Sequence, residues 1–259
     1  MSIFGTIICL LLNAALSSRL LVPEGTAPSK GWPAVLLLHD HGARFEKGWQ
    51  KVIGDNPEPY YSGMAIGDSL AAQGYVVYCI DALSWGSRRS PLTQRQFSDS
   101  LGGAGEWYAR VLAEDKQSVD FLTSLPYVDS TRIAAAGFSY GAYRAWNLAS
   151  EEPRVKVCIA AHWMTTLAQT RYNDSWLCMV RKDQRPFAEI AADIVPRPFL
   201  LQYGTEDKLF PVGAVDSCVH YIDSVYGASP NFKAEAYGCG HIFTHEHLQN
   251  WLKWLKMHL

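Results

Sequence analysis

Gly137-Phe138-Ser139-Tyr140-Gly141 joins an apolar run, Arg132–Ala136, that reads as a buried strand to a segment, Tyr140–Ala149, that reads as a helix. A chain passes from strand to helix in so few residues only through a very tight turn, which forces the central serine into a strained backbone conformation. Side chains at positions 137 and 141 would collide across such a turn, so glycine is required at both. The turn lifts the Ser139 hydroxyl out of the sheet and sets it at the positive end of the following helix. The plainer alternative is a glycine-bounded turn whose serine caps the helix.

A serine hydroxyl is a weak nucleophile until a base takes its proton, and the base needs an acid to orient it. With this turn, the chain order is serine, then Asp or Glu, then His. Asp207 lies in the turn Gly204-Thr205-Glu206-Asp207, after the apolar strand Pro198–Tyr203. It is the candidate acid, with Glu206 as its rival. Its structural alternative is a first-turn acid of the helix read at Val212–Tyr226. His241 ends the small loop Gly238-Cys239-Gly240 after the strand Phe232–Tyr237 and is the candidate base. His245 and His247 read as surface residues of the closing helix. Negative charge developing on an acyl oxygen calls for two aimed backbone N–H groups. One is that of Tyr140. The other comes from Asp40 or His41, in the turn His39-Asp40-His41-Gly42 after the strand Ala34–Leu38. The same turn offers two imidazoles and a carboxylate, but no further distant metal ligand has suitable spacing, so no metal is expected.

Around these motifs, apolar runs (Tyr75–Ile80, Val155–Ala161) alternate with amphipathic stretches (Met64–Gln73, Glu106–Leu125, Phe243–Leu259). Strands apolar on both faces and separated by helices predict an α/β fold with a mostly parallel central sheet covered on both faces. One domain is expected over 19–259, with insertions near 84–105 and 162–196, where such folds build pockets. Trp85, Trp163 and Trp176 lie in these insertions and are weak candidates for stacking on substrate; packing of the insertions is the equal alternative. Arg88, Arg89, Arg171, Arg181 and Lys182 could meet an anionic substrate, with a solvated surface as the default.

Lys and Arg total 23 against 25 Asp and Glu, and no basic run occurs. A nucleic-acid partner is therefore not expected. Met1–Ser18 carries no charged side chain and reads either as a secretory signal without its basic flank or as an N-terminal strand. The first reading implies export to the periplasm or beyond, the second a cytoplasmic protein. No membrane span is expected. The six cysteines match no zinc spacing and no C-x-x-C; Cys218 and Cys239 could pair in an exported chain. The sequence implies no cofactor and leaves the oligomeric state open.

Five motifs in order resemble the α/β-hydrolase superfamily, and more narrowly its dienelactone-hydrolase-like and acetyl-xylan-esterase-like branch. They are Leu36–Gly42, Asp81–Arg88, Val128–Ile133 leading into Gly137–Gly141, Gly204–Pro211 and Gly238–His241, and the likeness runs from about Leu21 onward. It implies Ser139 as nucleophile, His241 as base and Asp207 as acid. Dienelactone hydrolases proper use cysteine where Ser139 stands, so the resemblance implies a serine carboxylic-ester hydrolase, acting on small or oligosaccharide esters. Ala142 stands where relatives often have a second glycine. The alternatives are a prolyl-oligopeptidase-type serine peptidase, against which the lack of a propeller-sized extra domain counts, and an inactive binding protein of the same fold.

Overall fold

The computed structural model describes residues 17–55, 57–170, 178–180 and 185–259. The described strands form one seven-stranded sheet in the order β1-β3-β2-β4-β5-β6-β7. These are β1 (Ser18–Leu21), β2 (Trp32–Leu38), β3 (Val76–Ile80), β4 (Val128–Phe138), β5 (Val155–Ala161), β6 (Phe199–Gly204) and β7 (Phe232–Tyr237). All pairings are parallel except that of the edge strand β1 with β3.

The apolar runs make this arrangement because the inner strands are buried on both faces, while the edge strands β1 and β7 stay partly exposed. Val35, Leu37, Val77, Cys79, Ala134 and Ala136 enter one core, and Leu36, Leu38, Tyr78, Ile80, Ile133 and Ala135 the other. That period-two alternation feeds two helical layers. α1 (Ile66–Ala72) and α8 (His245–His258) close the first face through Ile66, Leu70, Trp251, Trp254 and Leu255. The second face takes α2 (Gln94–Leu101), α3 (Ala104–Ser124), α4 (Tyr140–Glu151), the short α5 (Leu167–Thr170), α6 (Phe187–Ala192) and α7 (Val212–Tyr226). Its core includes Trp107, Trp146, Phe187 and Ile222.

The connection from β2 leads to β3 on one side, whereas β4 lies on the other side of β2. Chain segments leaving the carboxyl ends of β2 and β4 therefore diverge, and a crevice opens at such a switch point. Every candidate chemical group follows a strand at this edge.

The stretch 84–105, expected as an insertion, holds a 3₁₀ turn at Gly86–Arg88 and the helix α2. Thr93 caps α2 in a reciprocal box with Gln96, a Thr-x-x-Gln signal visible in the sequence. The stretch 162–196 likewise contains α5 and α6. Residues 1–16 of the N-terminal segment lie outside the described residues, as do Trp176, Arg171, Arg181 and Lys182. No described helix is long and apolar enough to cross a membrane. Cys218 and Cys239 are separate free thiols.

Candidate active site

Ser139 turns out of β4 with φ 54° and ψ −124°, in the left-handed half of backbone space that residues with a Cβ avoid. The two flanking glycines make the turn sterically feasible. A Cβ on Gly137 would stand 2.3 Å from the Gly141 carbonyl carbon, and one on Gly141 would stand 1.8 Å from the Leu38 carbonyl oxygen. The Ser139 N–H donates to Ala161 O at 2.8 Å and its carbonyl accepts from Tyr143 N–H at 3.1 Å, so sheet and helix hold it from both sides.

Three far-separated side chains meet there. His241 Nε2 lies 2.9 Å from Ser139 Oγ, and His241 Nδ1 lies 2.7 Å from Asp207 Oδ2. Asp207 is buried, whereas Glu206 beside it is exposed. Asp207 Oδ1 accepts from the backbone N–H groups of Leu209 at 2.9 Å and Phe210 at 3.2 Å. Burial alone would raise the Asp207 carboxyl, but hydrogen bonds from His162 and His241 outweigh it and hold the group well below the usual carboxylate range. It stays ionised. The rings of Phe138 and Phe210 stand 4.9 and 5.6 Å from that of His241, centroid to centroid.

The turn after β2 is fixed from behind. Lys51, fully buried, points its ammonium at the carbonyls of Asp40 (3.1 Å) and His41 (2.6 Å). His39 Nε2 accepts from Ala82 N–H at 2.9 Å, which leaves the proton on Nδ1, donated to Asp40 O at 2.8 Å. Burial pushes the His39 imidazole well below its ordinary range. The Asp40 carboxylate accepts from the hydroxyls of Tyr60 and Tyr61, each at 2.7 Å. Lys51, Tyr60 and Tyr61 carried no signal in the sequence reading, because nothing local to them marks a partner that only folding brings near.

The structure corrects three further expectations. Trp85 is fully buried: its Nε1–H donates to His41 O at 3.0 Å and its ring stacks on that of Tyr140 at 5.5 Å. Trp163 is 3% exposed and packs on Tyr143, at 4.5 Å, and Phe187, at 5.2 Å. Neither presents a face to a ligand, because the large apolar rings are more stable filling the second core. His247, expected at the surface, is fully buried, with its Nε2 3.0 Å from that of His162. His162 drew no notice in the sequence, yet its Nδ1 lies 2.9 Å from Asp207 Oδ2. Two sets of metal-ligating atoms converge among the described residues, His162 with Asp207 and His241, and His162 with Cys239 and His247. In both, the imidazole nitrogens are already engaged by hydrogen bonds.

A mostly parallel sheet flanked by helices, with a serine elbow after its central strand and an acid and a histidine following later strands, defines an α/β-hydrolase. The model of the dienelactone hydrolase family matches residues 49–250, and the chain belongs to that family of hydrolases. The protein YtaP of Bacillus subtilis (strain 168), named as a hydrolase, is 28% identical over 237 residues, covering 86% of this chain and 79% of its own. Among solved structures, a carbohydrate esterase family 15 glucuronoyl esterase from Caldicellulosiruptor kristjansonii superposes with TM-score 0.68 at 14% identity, covering 92% of this chain and 71% of that one. A protein from Bacteroides fragilis NCTC 9343 described as an acetyl xylan esterase gives TM-score 0.66 at 17% identity, covering 92% and 75%. Both structures share the fold with this chain.

Proposed function

We propose that this hydrolase is a serine carboxylic-ester hydrolase working through an acyl-enzyme, with Ser139 as nucleophile, His241 as base and Asp207 as acid. The carrying observation is the line Ser139 Oγ to His241 Nε2 at 2.9 Å and His241 Nδ1 to Asp207 Oδ2 at 2.7 Å. Ionised Asp207 keeps the His241 proton on Nδ1, so Nε2 faces Ser139 as a free acceptor. Ser139 Oγ attacks the acyl carbon while its proton passes to Nε2. The resulting imidazolium, stabilised by Asp207, then protonates the departing alkoxide, and the alcohol leaves. Water, deprotonated by the same nitrogen, attacks the acyl-enzyme and frees the carboxylic acid and Ser139.

The tetrahedral oxyanion needs donors pre-aimed at it. Tyr140 N–H, at the start of α4, is one. For the other, the peptide joining Asp40 to His41 is informative. Its carbonyl is held by Lys51 and His39, and in a planar trans peptide the N–H points opposite to the carbonyl. This supports His41 rather than Asp40 as the second donor. The substrate class follows family and fold: small esters, including acyl groups on carbohydrate. With Trp85 and Trp163 buried, recognition does not run through their stacking.

A fluorophosphonate probe and p-nitrophenyl acetate test the reading. The wild-type chain is expected to label at one serine and to turn over the ester, and Ser139→Ala to lose both. Turnover retained in pure Ser139→Ala protein refutes it. Rates on acetyl, feruloyl and longer acyl esters then rank the substrates.

A further inference from the structure

β5 delivers His162 with φ 59°, and its N–H donates to Gln202 O on β6 at 2.7 Å. This anchor turns the side chain toward Asp207. Asp207 Oδ2 thus receives two imidazoles, His241 at 2.7 Å and His162 at 2.9 Å, in rings set at 86° to one another. Four donors in all surround the carboxylate among the described residues: these two imidazoles and the N–H groups of Leu209 and Phe210.

The tautomers follow by elimination. An ionised carboxylate only accepts, so His162 carries a proton on Nδ1. Burial favours neutral His162, against the pull of Asp207, and pushes His247 down to about 3. A neutral His162 therefore accepts at Nε2, and the proton between the two Nε2 atoms belongs to His247. That leaves His247 Nδ1 as an acceptor, and Thr244 meets it with its hydroxyl at 2.7 Å and its N–H at 3.2 Å. One directed chain results, from Thr244 through His247 and His162 into Asp207. Every link is satisfied.

We propose that His162 is a positioning residue for the catalytic acid, holding Asp207 Oδ2 in register with His241 and drawing off part of its charge. This rests on the proposed Ser139, His241 and Asp207 roles. A neutral N–H donated to Oδ2 spreads the negative charge that would otherwise favour imidazolium at 241. Without it Asp207 carries more charge and pulls harder on the imidazole it orients, and activity is lost sooner on acidification. Other titratable groups facing the cluster are Glu206 from the β6 turn, Glu235 and Tyr237 on β7, Cys239 in the loop after it and Glu246 from α8. None of these donates to the Asp207 carboxylate in the described residues.

The test compares His162→Leu, which has no donor, with His162→Asn, whose amide nitrogen can reach the place of Nδ1. His162→Leu is expected to lower kcat on p-nitrophenyl acetate by about ten- to a hundredfold with KM nearly unchanged. It is also expected to move the acidic limb of the kcat/KM profile up by about half a pH unit. His162→Asn should recover most of the rate and return the limb. A limb that stays in place in His162→Leu, or a His162→Asn no better than His162→Leu, overturns the proposal. Should His162→Leu fail to fold, His247→Phe breaks the chain one link further out. It should move the limb in the same direction by less, and an unmoved limb counts against the proposal. Wild-type labelling by fluorophosphonate is read in parallel: absent labelling sinks the triad reading itself, whereas normal labelling with an unmoved limb sinks only the role of His162.

Discussion

Removing the Asp115 carboxylate tests how the elbow helix is held. Arg144, one turn into α4, reaches down to Asp115 on α3, with Nη2 2.5 Å from Oδ1 and Nε 3.1 Å from Oδ2. Both side chains are almost completely buried, and Arg144 Nη1 has no hydrogen-bond partner among the described residues. Asp115→Ala therefore leaves a buried guanidinium with no counter-charge. Two hydrogen bonds to charged groups contribute about 1.5–3 kcal/mol each, and breaking one side of a buried pair costs about 3–5 kcal/mol. The two figures agree, and the second is the expected loss. At about 2–4 °C per kcal/mol for a domain of this size, Tm falls by roughly 6–20 °C. Replacing both partners, Asp115→Leu with Arg144→Met, removes the stranded charge and should regain most or all of the lost stability. Thermal and urea unfolding of wild type, Asp115→Ala and the double variant decide it. A loss below about 1 kcal/mol in Asp115→Ala, or a double variant as unstable as the single one, refutes the reasoning.

Gly141→Ala sets a Cβ against the Leu38 carbonyl oxygen at 1.8 Å. Neither backbone segment can retreat, so the cost should exceed the usual overpacking penalty of about 1–3 kcal/mol; soluble expression and the circular-dichroism melt report it, and a melt within a few degrees of wild type counts against it. Buried neutral His162 and His247 have imidazoles pushed below their ordinary range, so the unfolded chain takes up protons at a higher pH than the folded one. Stability is therefore full above about pH 6.5 and falls on acidification, by up to about 1.4 kcal/mol per pH unit for each histidine. His247→Phe should flatten that slope in urea midpoints measured from pH 7 to 5, and an unaltered slope would show that His247 does not contribute.

The meeting of Ser139, Asp207 and His241 was legible because each sits at a strand end next to a local marker: two glycines about Ser139, the acidic turn before Pro211, and the loop Gly238-Cys239-Gly240 before His241. The inner strands were equally plain, since continuous apolar runs have few other homes than a sheet covered on both faces. Local sequence could not place Trp85 and Trp163, because an aromatic ring in an insertion looks the same whether it lines a pocket or fills a core. Nor could it mark Lys51, whose hydrogen bonds go to main-chain carbonyls, or His162 and His247, which are separated by 85 residues and meet only through the β5 to α8 contact. Periodicity and turn chemistry are properties of neighbouring residues, so they determined the sheet, the elbow and the three principal side chains. Burial and the second layer of hydrogen bonds depend on which distant strand ends the topology brings together, and only the folded chain decided them.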